Sequence, residues 1–223
     1  MIQYDKILVY QYGKVGSTSI RKSGLCNKYY STIQKTYKEQ MISTHSHEVA
    51  KDILSKYKNV LVINIVRLPI DRNISGFFQN INKYTSDYNE LHIDDLIKMY
   101  DELYNPNTDN WMVNFFKGFN IDIDKFKFDK INKYNKLTYN SNDILLFRFE
   151  DLEYITSNIL PKYNIFVNNK KNVGSSKSYN EVYENFKKIY KISDLEKERI
   201  LNSKITNIYY SKEEIQEQIK KYS

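Results

Sequence analysis

The chain has 223 residues, with 34 Lys and Arg against 27 Asp and Glu, and a formal net charge of +7 at pH 7. Its single cysteine excludes an internal disulfide framework, and no apolar run is long enough to cross a bilayer. The length is typical of one domain, here residues 1–223. We therefore expect a cytoplasmic protein without a membrane span, whose positive charge attracts anionic ligands.

The first predicted elements are a strand over Lys6–Gln11 and a helix over Ser17–Ser23, joined by the loop Tyr12-Gly13-Lys14-Val15-Gly16. A strand, a glycine loop and a helix in this order predict an anion site, because glycine lets the backbone approach a phosphate and the first helical N–H groups point at it. No lysine follows the second glycine directly, so this is not the Walker loop of NTPases. The same residues also suit an ordinary helix start, with Ser17 or Thr18 as the N-cap.

Two further segments strengthen the ligand-binding interpretation. His45-Ser46-His47 holds two of the three histidines and precedes a predicted helix over Glu48–Tyr57. The run Val60–Val66, which is apolar except for Asn64, predicts a parallel strand buried on both faces, and it ends at Arg67. Because ligands bind outside the carboxyl ends of strands in open α/β sheets, Arg67 is a candidate ligand-binding residue.

Predicted helices and strands alternate along the chain, which predicts an α/β fold with a central parallel sheet flanked by helices. Trp111, Phe115 and Phe116 are expected in the core, with one wall of an acceptor cleft as the alternative. Arg148 is expected to pair with Glu150 or Asp151, with contact to a ligand as the alternative. The remaining predicted elements are a strand over Ile144–Phe149, helices over Ile70–Ile81, Asp94–Tyr104, Asp109–Gly118 and Tyr179–Tyr190, and a solvated terminal helix over Lys212–Lys221.

These motifs resemble the sulfotransferases that use 3′-phosphoadenosine 5′-phosphosulfate (PAPS), most closely the carbohydrate branch with the heparan sulfate 2-O-sulfotransferases. Bacterial and viral sulfotransferases of the capsular-polysaccharide type look similar too. The resemblance implies a P-loop-like three-layer fold and is close over Lys6–Phe78. It departs at Leu68, where many relatives carry an acidic residue.

The resemblance also implies how the cofactor is bound. The 5′-phosphosulfate would lie in the loop, with Lys14 stabilising the leaving phosphate as the product 3′-phosphoadenosine 5′-phosphate (PAP) forms. Arg67 and Ser75 would bind the 3′-phosphate, and Ser176 with Lys177 would form a late loop that closes over the nucleotide, although these two also suit a helix cap. The loop residues carried over are Lys14, Val15, Gly16, Ser17, Thr18 and Ser19.

The same resemblance implies catalytic roles for two histidines. His47 would be the general base that deprotonates a hydroxyl of a poly- or oligosaccharide, and His45 would be an auxiliary residue. An imidazole, with an ordinary pKa of about 6.5, is suited to this task at neutral pH. If they have no catalytic role, the two histidines are surface residues or half of a metal site. The chain offers few suitable further ligands for a metal. We expect no metal.

Two other functions remain open from the sequence. A kinase or other phosphoryl transferase could use the same loop with a nucleotide and Mg²⁺, although the long strand ends in Arg67 where a metal-binding acid would be expected. A non-catalytic module could bind an anionic polymer through its charge. Nucleic acid is not an expected partner, because the basic residues are spread along the whole chain and no nucleic-acid-binding signature is present.

Overall fold

The computed structural model describes residues 4–21, 40–104, 108–167 and 178–223. The chain divides into two compact units. The first comprises Met1–Arg67 and Asn110–Asn172, and the second comprises Leu68–Asp109 and Val173–Ser223. None of the helices within the described ranges combines the length and the hydropathy needed to span a membrane.

A five-stranded, mostly parallel sheet forms the centre of the first unit, with the strand order β2-β1-β3-β5-β4. Its strands are β1 (Lys6–Tyr10), β2 (Met41–Thr44), β3 (Val60–Val66), β4 (Tyr134–Tyr139) and β5 (Asn142–Arg148). All neighbouring pairs are parallel except β4 and β5, which are antiparallel. The register aligns Ile7 with Met41 and with Leu61 on its two sides. The predicted mixed α/β fold with a largely parallel sheet is confirmed.

The described helices fall into both units. Their bounds are α1 (Ser17–Arg21), α2 (His47–Lys56), α3 (Pro69–Gln79), α4 (Ile93–Leu103), α5 (Thr108–Gly118), α6 (Leu152–Tyr154), α7 (Asn180–Ile189), α8 (Asp194–Asn202), α9 (Lys204–Tyr209) and α10 (Lys212–Lys221). A π-helical turn over Ile155–Ile159 and a 3₁₀ turn over Leu160–Tyr163 follow α6 directly.

Successive side chains of a strand point to opposite faces of the sheet, and both faces are covered by packed residues. Val9 and Ile63 belong to a core that also holds Ile20 of α1 and Ile159. On the opposite face the ring of Tyr10 packs against α5, with ring centroids 5.3 Å from Phe115 and 6.4 Å from Phe119. Burial of all seven residues of β3 explains why its sequence is apolar at every position except Asn64.

The second unit is helical and has an aromatic core. The ring of Tyr100 lies 5.5 Å from that of Phe77 and 5.6 Å from that of Phe186. Helix α10 has the predicted bounds, but Ile215 and Ile219 on one of its sides are buried, so the helix is packed and not merely solvated. A capping box between Ser211 and Glu214 begins it.

Three details differ from or refine the sequence predictions. Strands β2 and β4 were not predicted: β2 is only four residues long, and β4 is a half-exposed edge strand with polar residues. Arg148 forms the expected structural pair, with its Nε 2.6 Å from a carboxylate oxygen of Asp151, and both side chains are buried.

Candidate functional site

Three candidate segments follow three adjacent parallel strands. The glycine loop follows β1, His45 follows β2 and Arg67 follows β3. The chain runs from β1 to β2 on one side and then to β3 on the other side of β1, which makes the β1–β3 boundary a topological switch point. Ligands bind at such points in open α/β sheets, because the connections diverge there and leave a crevice. The topology therefore brings the loop, the histidine segment and Arg67 to one edge.

The glycine loop has an unusual backbone. Gly13 and Gly16 have φ angles of +101° and +77°, and Lys14 between them has φ of +61°. Left-handed backbone is costly for residues with a Cβ, which accounts for both glycines. Where a left-handed residue follows an ordinary one, as Gly16 follows Val15, successive N–H groups can turn toward one side, which is the geometry of anion-binding concavities.

The Gln11 side chain is hydrogen-bonded to both ends of this loop. Its side chain is fully buried, its Oε1 accepts a hydrogen bond from the Gly13 N–H, and its Nε2 donates to Ser17 Oγ over 3.0 Å. The amide orientation is fixed, because the backbone N–H of Gly13 can only donate. One side chain thus connects the beginning of the loop to the first residue of α1.

Phe149 and Arg67 hold the other side of the loop. A Cβ built on Gly16 would lie 2.6 Å from the ring of Phe149, so only glycine allows this contact. The guanidinium carbon of Arg67 lies 4.5 Å from the centroid of the same ring. Arg67 Nη1 also donates to the carbonyl oxygen of Lys14 over 3.1 Å. The arginine that follows β3 is therefore in direct contact with the candidate phosphate loop.

His45 faces the loop from the end of β2. Its Nδ1 lies 2.7 Å from the carbonyl oxygen of Gln11. A carbonyl can only accept, so Nδ1 carries a proton and the Gln11 Nε2, 3.2 Å away, does not donate to it. The Cε1 and Nε2 atoms of His45 would lie 3.7 and 4.0 Å from a Cβ on Gly13. In the neutral form of the ring, the acceptor edge therefore faces the candidate phosphate loop.

His47 lies two residues further along and is the first residue of α2, which Ser46 caps by accepting from the Val49 N–H. Its ring stacks on Trp111, with centroids 5.1 Å apart and an interplanar angle of 27°. Its Nδ1 is hydrogen-bonded to the hydroxyl of Tyr10. Trp111 also donates from Nε1 to the carbonyl of His45 over 2.9 Å, so one indole holds both histidines.

Burial and charge shift two pKa values here. Burial lowers the pKa of His47 below its ordinary value, and the positive charge of Lys51 lowers it further. Burial also raises the pKa of Tyr10 far above its ordinary value. At neutral pH His47 is therefore neutral, and the Tyr10 hydroxyl keeps its proton.

The remaining predicted site residues lie in the loop, on α1, in the second unit or outside the described residues. Val15 is buried in the core beneath the loop, and Thr18 is half-buried on α1. Ser19 also lies on α1, but its side chain is outside the described residues. Ser75 is half-buried on α3 in the second unit, and Ser176 and Lys177 lie outside the described residues. Within the described ranges, no three His, Cys, Asp or Glu side chains are grouped as metal ligands.

The sequence predictions missed Gln11, Tyr10 and Phe149 as parts of the site. Each stands beside a strand end that was predicted, which is the only sequence signal that could have identified them. Trp111 was expected in the core or, alternatively, in a wall of the acceptor cleft; its ring is half-buried and contacts His47. Comparison of the chain with protein-family models, with curated proteins and with solved structures finds no match.

Proposed function

We propose that the chain is a PAPS-dependent sulfotransferase that transfers a sulfuryl group to a hydroxyl of a poly- or oligosaccharide in the cytoplasm. One observation carries the proposal. The glycine loop, the histidine segment and Arg67 follow three adjacent parallel strands, and Arg67 and His45 both contact the loop or the residues that lead into it. These are the three segments on which the sequence resemblance rests.

The cofactor would be held from two sides. Backbone N–H groups over Lys14–Ser19 and the hydroxyls of Ser17 and Thr18 suit the 5′-phosphosulfate. Arg67 uses one N–H group on the Lys14 carbonyl, and its remaining N–H groups form a planar donor fork for the 3′-phosphate. Ser75, Ser176 and Lys177 are proposed as further ligands of the nucleotide, as the resemblance implies.

The reaction needs a group that accepts the proton of the acceptor hydroxyl and a group that stabilises the charge on the leaving oxygen. The acceptor oxygen attacks sulfur as its proton moves to a histidine of the His45-Ser46-His47 segment, so that a new O–S bond forms. The bond between sulfur and the bridging oxygen breaks, and PAP leaves with the electron pair. Lys14 would stabilise the charge that develops on this oxygen. The net charge of +7 supports an acidic polysaccharide as the acceptor.

Transfer of radiolabelled sulfate from PAPS to a panel of polysaccharides, with and without a chelator, tests this proposal. We expect turnover that the chelator does not reduce and that Lys14→Ala lowers by a factor of about 100 or more. Turnover that requires ATP and Mg²⁺ would instead identify a phosphoryl transferase. Salt-sensitive polysaccharide binding without any turnover would identify a binding module.

A further inference from the structure

The two histidines of the site have different hydrogen-bond partners, and these partners decide which ring nitrogen carries the proton. In a neutral imidazole one nitrogen donates and the other accepts, so a fixed partner on Nδ1 sets the state of Nε2. A general base needs an unprotonated nitrogen that faces the substrate. The partners of Nδ1 therefore indicate which histidine is prepared to accept a proton.

His45 is held in the form that a base requires. Its Nδ1–H donates to the carbonyl of Gln11, so Nε2 of the neutral ring is an acceptor. This edge faces Gly13, within about 4 Å of where a Cβ would stand. When Nε2 gains a proton, the Gln11 carbonyl still accepts from Nδ1–H and stabilises the imidazolium. The atom that can take a proton thus lies beside the candidate phosphate loop.

His47 is held in the opposite form. Its Nδ1 is the only hydrogen-bond partner that the Tyr10 hydroxyl has in the described part of the chain, and Tyr10 is only 4% exposed. A buried hydroxyl that does not donate costs about 1–3 kcal/mol, so Tyr10 donates and Nδ1 accepts. Nε2 of His47 consequently carries the proton. It makes no hydrogen bond to any described residue, which leaves this N–H available to a ligand.

From these contacts we propose that His45 is the general base, and that His47 is a hydrogen-bond donor whose Nε2–H binds an oxygen of the acceptor or of the sulfuryl group. The inference rests on the proposed function and reverses the roles that the resemblance implies. The acceptor proton moves to Nε2 of His45, the acceptor oxygen bonds to sulfur, and PAP leaves with the electron pair of the broken bond. His47 changes neither its protonation nor its contact with Tyr10.

Nitrogen-15 NMR of the ring nitrogens, at a pH where both rings are neutral, tests the inference without any need for turnover. We expect protonated Nδ1 and unprotonated Nε2 for His45, and the reverse for His47, with assignments from His45→Gln and His47→Gln. Tyr10→Phe should mix the two forms of His47, whereas Tyr4→Phe, which removes a buried hydroxyl bonded to Asp143 instead, should not. Protonated Nδ1 on His47, or protonated Nε2 on neutral His45, would overturn the proposal.

Kinetics give the second readout. Loss of a general base lowers kcat by a factor of about 10²–10⁴, so we expect that decrease for His45→Gln with PAP affinity unchanged. The side-chain amide of His47→Gln can still donate, so kcat should fall by about tenfold or less. The reverse ranking would contradict the inference and leave the sulfotransferase proposal intact. Absence of turnover in the wild type, with the expected NMR forms, would contradict the proposed function and leave the assignment of the protons intact.

Discussion

Gly16 is the residue where backbone conformation and packing both require glycine. Its φ of +77° is strained for any residue with a Cβ, and that Cβ would meet the ring of Phe149 at 2.6 Å. We predict that Gly16→Ala lowers the free energy of unfolding by about 1–3 kcal/mol, as measured by denaturant titration. Gly118→Ala is the matched control in the same unit, because its added Cβ would meet no described atom within 4 Å apart from its chain neighbours and the backbone of its own helix.

The control variant should keep or raise the free energy of unfolding. Gly118 is the last residue of α5, where alanine has the better helix propensity, so Gly118→Ala should be neutral or stabilise the chain by up to about 1 kcal/mol. Equal stability of the two variants would show that the loop backbone differs from the one described.

Lys51 of α2 contributes to the lowered pKa of His47. Its charge is the second cause of the lowered pKa, after burial. We predict that Lys51→Met raises the pKa of His47 but leaves it below the ordinary value, because the burial remains. An NMR titration of the His47 ring measures this directly, with Lys56→Met, which removes a lysine ion-paired to Asp52, as the control. An unchanged pKa in Lys51→Met would exclude the electrostatic contribution.

At the scale of the element, one carboxylate accepts three hydrogen bonds from α10 and the residue that follows it. Asp71 of α3 accepts from the Tyr222 hydroxyl over 2.6 Å, from Lys221 over 3.0 Å and from Gln218 over 3.2 Å. All of these residues belong to the second unit. Hydrogen bonds to a charged group contribute about 1.5–3 kcal/mol each when they are shielded from water. Asp71→Ala should therefore lower the free energy of unfolding by roughly 2–4 kcal/mol, since part of the cluster is exposed.

A second carboxylate in the same unit provides the control for α10. Glu184 pairs with Lys187 over 3.0 Å, and its side chain is about half exposed. Because exposed pairs contribute little, Glu184→Ala should cost less than about 1 kcal/mol in the same denaturant titration. Decreases of similar size in the free energy of unfolding of the two variants would show that Asp71 does not anchor the helix.

The sequence predicts an element well when one physical signal dominates it. Strand β3 was predicted with its observed bounds, because burial on both faces favours the nearly uninterrupted apolar run found there. Edge strand β4 was missed because it is half exposed and antiparallel, so its polar residues resemble those of a loop. The bounds of α10 were predicted from its charge order, but its packing depends on Asp71, about 150 positions away in the chain.

At the scale of the whole molecule, the sequence predicts which segments meet but not which atoms touch. Parallel strands place their carboxyl ends on one edge, so the proximity of the loop and Arg67 follows from the predicted strand types. The contact between Tyr10 and His47 spans 37 positions, and that between Trp111 and His45 spans 66. These contacts depend on how α2 and α5 pack, for which local sequence carries no signal. Yet they set the proton positions on which the proposed chemistry depends.

The central claim is that the loop and Arg67 bind a nucleotide with phosphates at both its 3′ and 5′ positions. Calorimetric titration with PAP and with adenosine 5′-phosphate, on the wild type and on Arg67→Ala, tests it most directly. We predict that the wild type binds PAP more tightly, and that Arg67→Ala weakens PAP binding by about 10–100-fold while adenosine 5′-phosphate binding barely changes. Equal affinities for the two nucleotides in the wild type, or equal losses for both in Arg67→Ala, would contradict the claim.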